Sequence, residues 1–325
     1  MERSPSPLTV AAYFVLWYGL NIAYNIYNKV VLNTFPLPYT VATIQLGCGL
    51  LWILPLWALG LRSIPKLESS AYTTFFPIAL FHTLGHTLTV ISLGAGSVSF
   101  THIVKASEPF FSSLITAVMG TISPWQVNMC LVPVVGGVIM ASLKELSFTW
   151  QSFNSALGSN LSFAVRGIFS KKAMINSATL GKDLTPPNIF AVLTIMSFLL
   201  MLPVSWYMER DLIPDALDEA YGTFEGGQFG FWKYTMLCGL FYYLYNECAY
   251  LVLGCLDSAV SAAVGNTVKR VVVLVATTVY FQTEMSSQSM LGCAIAIGGT
   301  FLYSIVGARM KERLAQASKG KKKKM

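Results

Sequence analysis

Charge is scarce in this chain. Only 11% of its 325 residues are Asp, Glu, Lys or Arg while 54% are hydrophobic, against roughly 25% charged residues in an ordinary soluble protein. With a mean hydropathy of +0.58, that excludes a water-soluble domain and points to a membrane protein. The long apolar runs lack the dyad alternation of outer-membrane strands, which excludes a barrel. Histidine is limited to three residues, and Cys48, Cys130, Cys238, Cys248, Cys255 and Cys293 have no metal-ligand spacing. Five fall in apolar runs and Cys255 at the edge of one, where cysteine packs as a small hydrophobe, and they identify no redox compartment. There is no paired-carboxylate, metal-ligand or nucleophile constellation, so the sequence predicts neither an enzyme nor a metal or cofactor site.

What is present is a series of ten apolar runs of spanning length, at about 8–31, 38–60, 71–94, 98–120, 124–142, 150–173, 188–208, 230–254, 257–280 and 285–306. Each approaches the roughly 20 residues that cross about 30 Å of hydrocarbon as a helix. Helix is required because lipid offers the backbone no partner. The expected fold is therefore an all-α integral membrane protein of ten transmembrane helices, with connections at 61–70, 174–187 and 209–229 and no separate soluble domain. Of 22 basic residues, 14 at run ends or between runs are assigned to the side of the N-terminus and four, including Lys29 and Lys144, to the other. The bias puts both termini on the positive, cytosol-like side. An acidic loop from Glu209 to Glu225 faces the opposite side. The net charge of +7 then reports topology and the tail KGKKKKM, whose partner is anionic lipid rather than nucleic acid.

Four basic residues remain, Lys105, Arg166, Lys269 and Arg270, and all lie inside spans. Each costs about 2.5–3.5 kcal/mol on insertion scales if left dry. Glu108 and Glu247 are the acids within spans, Asp257 being placed at a helix start as a cap. The surplus predicts a missing partner, an anion of about two charges.

Two strings suggest internal symmetry. SVSFTHIVKASEPFF and AVSAAVGNTVKRVVV each set a Lys in a helix bearing small and hydroxyl residues, and the next span carries Gly136–Gly137 in one case and Gly298–Gly299 in the other. A five-span repeat is odd in crossings, so its second copy is inverted, with substrate near the midplane. The expected organisation is a first repeat at 1–145, a second at 146–308 and a basic tail at 309–325.

His86 and Thr89, at i and i+3, can donate to one ligand from a single helix face, and Tyr245 offers a phenol. Lysine supplies a compact charge and arginine a planar fork, a set suited to phosphate. Bland readings stand beside these. Lys105 and Glu108 could form an intrahelical pair, Lys269 and Arg270 could pair with Glu247, and Arg166 could anchor a helix end. His86 could be a core histidine, Tyr245 packing, and His82 and His102 structural.

The strings YNIYNKVVL, HTLGHT, SVSFTHIVKASEPFFS, SLKELSFTW, SNLSFAVRGIFSKKAM, FYYLYNE and AVGNTVKRVVV resemble the plastid phosphate translocators of the drug/metabolite transporter superfamily, over about residues 12–306. The resemblance implies a ten-helix inverted-repeat antiporter exchanging inorganic phosphate one for one against a phosphorylated C3, C5 or C6 compound. It assigns phosphate to Thr89, Lys105, Lys269 and Arg270, and the rest of the substrate to His86, Arg166 and Tyr245. His86 and Tyr245 argue against a phosphoenolpyruvate carrier, while SKKAM and ELSFTW look more like triose-phosphate members. Two departures are Tyr243 where the family usually has histidine, and a connection before Val264 that is one residue longer than usual. The alternatives are a hexose-phosphate, pentose-phosphate or phosphoenolpyruvate/phosphate antiporter, or a nucleotide-sugar transporter, which shares the fold. Monomer or weak dimer is expected. The start MERSPSPLTVAAYF does not read as a transit peptide, and lysines third and fourth from the end resemble an endomembrane retrieval signal. The resemblance places the chain in a plastid envelope, with endomembrane as the alternative.

Overall fold

The computed structural model describes residues 7–143, 145–255 and 259–322. Almost all of it is helix: α1 (Pro7–Thr34), α2 (Pro38–Ala58), α3 (Ser69–Ala95), α4 (Val98–Lys105), α5 (Glu108–Val118), α6 (Trp125–Met129), α7 (Leu131–Ser142), α8 (Trp150–Ile175), α9 (Ser177–Leu180), α10 (Pro186–Glu209), α11 (Ile213–Thr223), α12 (Gly227–Cys255), α13 (Ala259–Phe281) and α14 (Ser287–Lys322). Two-residue strands β1 (Lys66–Leu67) and β2 (Gly181–Lys182) pair antiparallel. Among the described residues, six segments are long and apolar enough to cross a membrane by length and composition: α2, α3, α6 with α7, α10, α12, and α14 up to Met310.

Helix occurs in each of the ten expected runs among the described residues, though only six segments meet the length and composition of a span, and the departures have local causes. The fourth run breaks between α4 and α5 because Pro109 lacks an N–H and its ring would collide with the carbonyl of Lys105. The fifth breaks at Cys130, three residues before Pro133, whose ring interferes with the carbonyl of Met129, four residues back, in the same way. The loop at 209–229 contains α11, and the last helix runs to Lys322 rather than stopping at 306, so the basic tail from 309 continues it. Lys144, Asp257, Arg3 and the lysines beyond 322, to which topology or capping was assigned, lie outside the described residues. Cys48, Cys238 and Cys293 are buried, while Cys130, Cys248 and Cys255 are partly exposed.

The helices pack as a bundle in which α3 lies against α8, α1 against α12, α7 against α14, and α2 against both α10 and α12. Small residues set the closest approaches. A Cβ on Gly137 would come within 2.5 Å of the Ala296 nitrogen, and one on Gly299 within 2.9 Å of the Val134 nitrogen. Neither position tolerates a side chain without moving backbone.

On the side opposite the N-terminus the helix ends are tied together. Lys29 donates to the carbonyls of Leu93 (2.9 Å) and Gly96 (2.8 Å), closing the C-terminus of α3. Ser99 and Thr278 share a 2.8 Å hydrogen bond between α4 and α13. Buried Glu145 accepts from the hydroxyls of Ser97 (3.5 Å), Ser147 (2.7 Å) and Ser289 (3.2 Å). Glu209, which the sequence leaves in the acidic loop, is buried and accepts from the N–H groups of Tyr39 (3.1 Å) and Thr40 (2.6 Å), capping α2.

Candidate functional site

A cavity of about 280 Å³ lies between the two halves of the chain, and its walls come from α1, α3, α4, α5, α8, α12 and α13. All seven residues singled out from the sequence, His86, Thr89, Lys105, Arg166, Tyr245, Lys269 and Arg270, line it. The lining reaches to Ser170 on α8 and Leu253 on α12, toward the helix ends on the side of the N-terminus.

The break after α4 decides where the first lysine sits. Lys105 ends α4, where its positive charge complements the helix C-terminus, and Glu108 begins α5. The polar groups around the break find partners: Asn160 donates to the Val104 carbonyl (3.0 Å) and to Ser107 Oγ (3.1 Å), and Thr300 donates to the Ala106 carbonyl (3.2 Å). Held in this way, Lys105 Nζ donates to Thr89 Oγ1 and Ser159 Oγ, both at 2.8 Å, with the two hydroxyls 2.7 Å apart. Its ammonium also lies 4.7 Å from the centre of the Phe163 ring.

Two of the other cations rest on aromatic faces as well. Lys269 Nζ is 4.8 Å from the Trp17 ring. The guanidinium of Arg166 stands between Phe163 and Tyr250, 5.5 Å from each, and its Nη2 donates to the Tyr250 hydroxyl at 3.1 Å. Such faces stabilise a cation by about 0.5–2 kcal/mol without neutralising it. Arg270 alone has an acid partner, and that partner is Glu108.

The acids therefore differ from what spacing suggests. Lys105 and Glu108 do not pair within one helix, because the chain breaks between them; Glu108 instead reaches α13. Glu247 is not available to Lys269 or Arg270. Arg62, counted from the sequence as a free loop charge, grips it with both terminal nitrogens (2.6 and 3.0 Å), and Tyr243 donates to the same carboxylate at 2.7 Å. The Glu247 hydrogen bonds raise the already high pKa of Arg62. Counting imidazoles as uncharged, the described cavity lining holds four cations and one carboxylate, a surplus of three positive charges.

His86 is buried, with its ring 4.0 Å from that of Tyr242 and its Nε2 without a hydrogen-bond partner. Tyr245 packs against Tyr24 at 5.3 Å. His82 is a buried core histidine bonded to the Tyr242 hydroxyl at 3.0 Å. His102, expected to be structural, instead lines the cavity and bonds to Asn25 Oδ1 at 2.9 Å. Asn25 in turn donates to the Asn21 carbonyl at 2.8 Å. Asn21, Asn25, Ser159 and Tyr250 went unnoticed in the sequence, although two asparagines four apart on an apolar helix mark one polar face.

Comparison with known proteins follows the same line. Residues 8–304 match the Triose-phosphate Transporter family. The chain belongs to that family. Its members are transporters, so this protein is a multi-pass membrane transporter and not an enzyme. It is 39% identical to the chloroplastic glucose-6-phosphate/phosphate translocator 2 of Arabidopsis thaliana, over 93% of this chain and 76% of that one. Similarity to the chloroplastic phosphoenolpyruvate/phosphate translocator 2 of the same plant is 40% over 91% and 76%. For the triose phosphate/phosphate translocator of non-green plastids in Brassica oleracea var. botrytis it is 38% over 92% and 73%. Relatives of three different substrates are thus equally near.

Proposed function

We propose that this protein exchanges inorganic phosphate one for one against triose phosphate or 3-phosphoglycerate by alternating access, in a plastid envelope as the chloroplastic relatives suggest. The observation that carries the reading is the surplus of positive charge in the cavity. Thr89, Lys105, Lys269 and Arg270 hold the phosphate, and His86, Arg166 and Tyr245 meet the remainder. Arg166, with no carboxylate partner among the described residues, suits a second anionic group such as the 3-phosphoglycerate carboxylate. A hexose-phosphate substrate is the second reading, favoured by the glucose-6-phosphate relative. It has the same phosphate end.

Ten transmembrane helices in two inverted repeats, divided near residue 145, account for the packing. If α1, α2, α3, α4–α5 and α6–α7 correspond in order to α8, α10, α12, α13 and α14, exchanging the halves turns the α3–α8 contact into α12–α1. It turns α2–α12 into α10–α3, and leaves α7–α14, α2–α10 and α4–α13 as self-pairs; all of these contacts occur. The approach of Gly137 to Ala296 becomes that of Gly299 to Val134. With the far side tied by Lys29, Glu145 and the Ser99–Thr278 bond, and the lining running to the N-terminal side, this is an inward-facing state.

Coupling follows from charge. Closing both ends around surplus cations is opposed by their repulsion in a low-dielectric site. A phosphate dianion, brought by either substrate, lowers that barrier. The test is exchange by purified protein in phosphate-loaded liposomes offered triose phosphate, 3-phosphoglycerate, phosphoenolpyruvate and glucose 6-phosphate in turn. Preference for the first two supports the reading, and preference for glucose 6-phosphate replaces it with the second.

A further inference from the structure

The two lysines occupy matching places in the two halves, but Arg270 and Glu108 do not: beside Lys105 stands Ala106 where Lys269 has Arg270, and three residues beyond Lys269 stands Val272 where Lys105 has Glu108. The two residues that break the symmetry are paired to one another across 162 residues, from the start of α5 to the middle of α13. Glu108 is the only carboxylate among the described cavity-lining residues, and its side chain is 35% exposed against 11% for Arg270. It is therefore a carboxylate reachable from the cavity, attached to one half and neutralising a cation of the other.

We propose that Glu108 is a tethered counter-anion that competes with phosphate for Arg270. A carboxylate and a phosphate oxygen seek the same guanidinium fork, so phosphate binding that recruits Arg270 must loosen its bond to Glu108. When phosphate departs, Glu108 takes Arg270 back. The competition lowers phosphate affinity and speeds release, and it offsets one of the cavity's charges without removing the surplus that opposes closure. The Pro109 break makes this possible, since it sets Glu108 at a helix start facing α13 rather than one turn below Lys105. This proposal rests on the reading that phosphate occupies the cavity.

Glu108→Gln, purified and reconstituted beside the wild type, tests it through equilibrium binding of radiolabelled phosphate and through phosphate homoexchange. The expected result is a phosphate Kd lowered by about tenfold, in line with the coupling of close charge pairs, together with a lower kcat from slower release. In an Arg270→Gln background the same substitution should gain at least about threefold less affinity, because the competition is gone. Glu108→Asp, which keeps the charge on a shorter stem, should bind phosphate with a Kd between the two. An unchanged or raised Kd in Glu108→Gln with an unchanged melting temperature overturns the proposal and leaves Glu108 a brace for Arg270. Loss of folding in Glu108→Gln transfers the decision to Glu108→Asp, where a Kd equal to or above wild type overturns it. Failure of the wild type to bind phosphate at all would instead remove the underlying reading.

Discussion

At the scale of single residues, the chain treats its buried charges in two ways. Arg62 and Glu247 neutralise one another in a two-pronged pair with Tyr243 as third partner. Lys269 has only an aromatic face and no acid among the described residues. The first arrangement is structural: Glu247→Ala, which leaves Arg62 unpaired, should cost about 3–5 kcal/mol and appear as a lower melting temperature in detergent. Lys269→Ala removes an unpaired charge, so the protein should melt at least as high as wild type while phosphate exchange falls on the order of 100-fold, the scale of a charge-assisted contact. Melting curves and exchange rates on the two variants separate the roles. The cations were legible in the sequence because a lysine within an apolar helix has no bland explanation of comparable weight. Ser159, Asn25 and His102 were not, since small polar residues also serve helix packing in membranes, and only the fold shows that they meet Lys105 and the cavity. The partner of Glu108 was likewise hidden, because spacing counted along one helix fails where Pro109 ends it.

Elements obey simpler rules. Apolar run length gave the helices and their order, since lipid leaves the backbone no other structure. The breaks after Lys105 and at Cys130 are written in Pro109 and Pro133, yet a proline in a membrane helix also occurs without a break, as Pro55, Pro77 and Pro203 do inside α2, α3 and α10. Pro109→Ala restores the missing N–H and allows α4 to run into α5, rotating Glu108 away from α13. Exchange should fall at least about tenfold while helical content rises or holds, as circular dichroism would record. Gly137→Leu forces a side chain into the backbone of α14, beyond the reach of rotamer adjustment. It should destabilise by more than about 3 kcal/mol, with little folded protein recovered on size exclusion, whereas Gly136→Ala, with nothing within 4 Å of its Cβ position, should fold normally.

For the molecule as a whole, the proposed alternating access makes the tied side and the cavity parts of one cycle. Ser99 and Thr278 meet at 2.8 Å across the two halves, so Ser99→Cys with Thr278→Cys places two thiols in contact. Oxidising that double variant should stop exchange, and a reductant should restore it; exchange that continues through the crosslink would place the moving interface elsewhere. The proposed internal symmetry has only two lysines and two glycine pairs to suggest it in the sequence, because a repeat keeps contact geometry more readily than residue identity. Substrate preference was the least legible feature, since the phosphate end that dominates the charge pattern is common to every candidate. The most direct measurement is uptake of radiolabelled phosphate into liposomes carrying this protein, preloaded with phosphate or with buffer alone. Rapid saturable uptake into the preloaded vesicles only, cut on the order of 100-fold by Lys269→Ala, is the predicted result. Equal uptake into vesicles without internal phosphate, or undiminished exchange by Lys269→Ala, would contradict it.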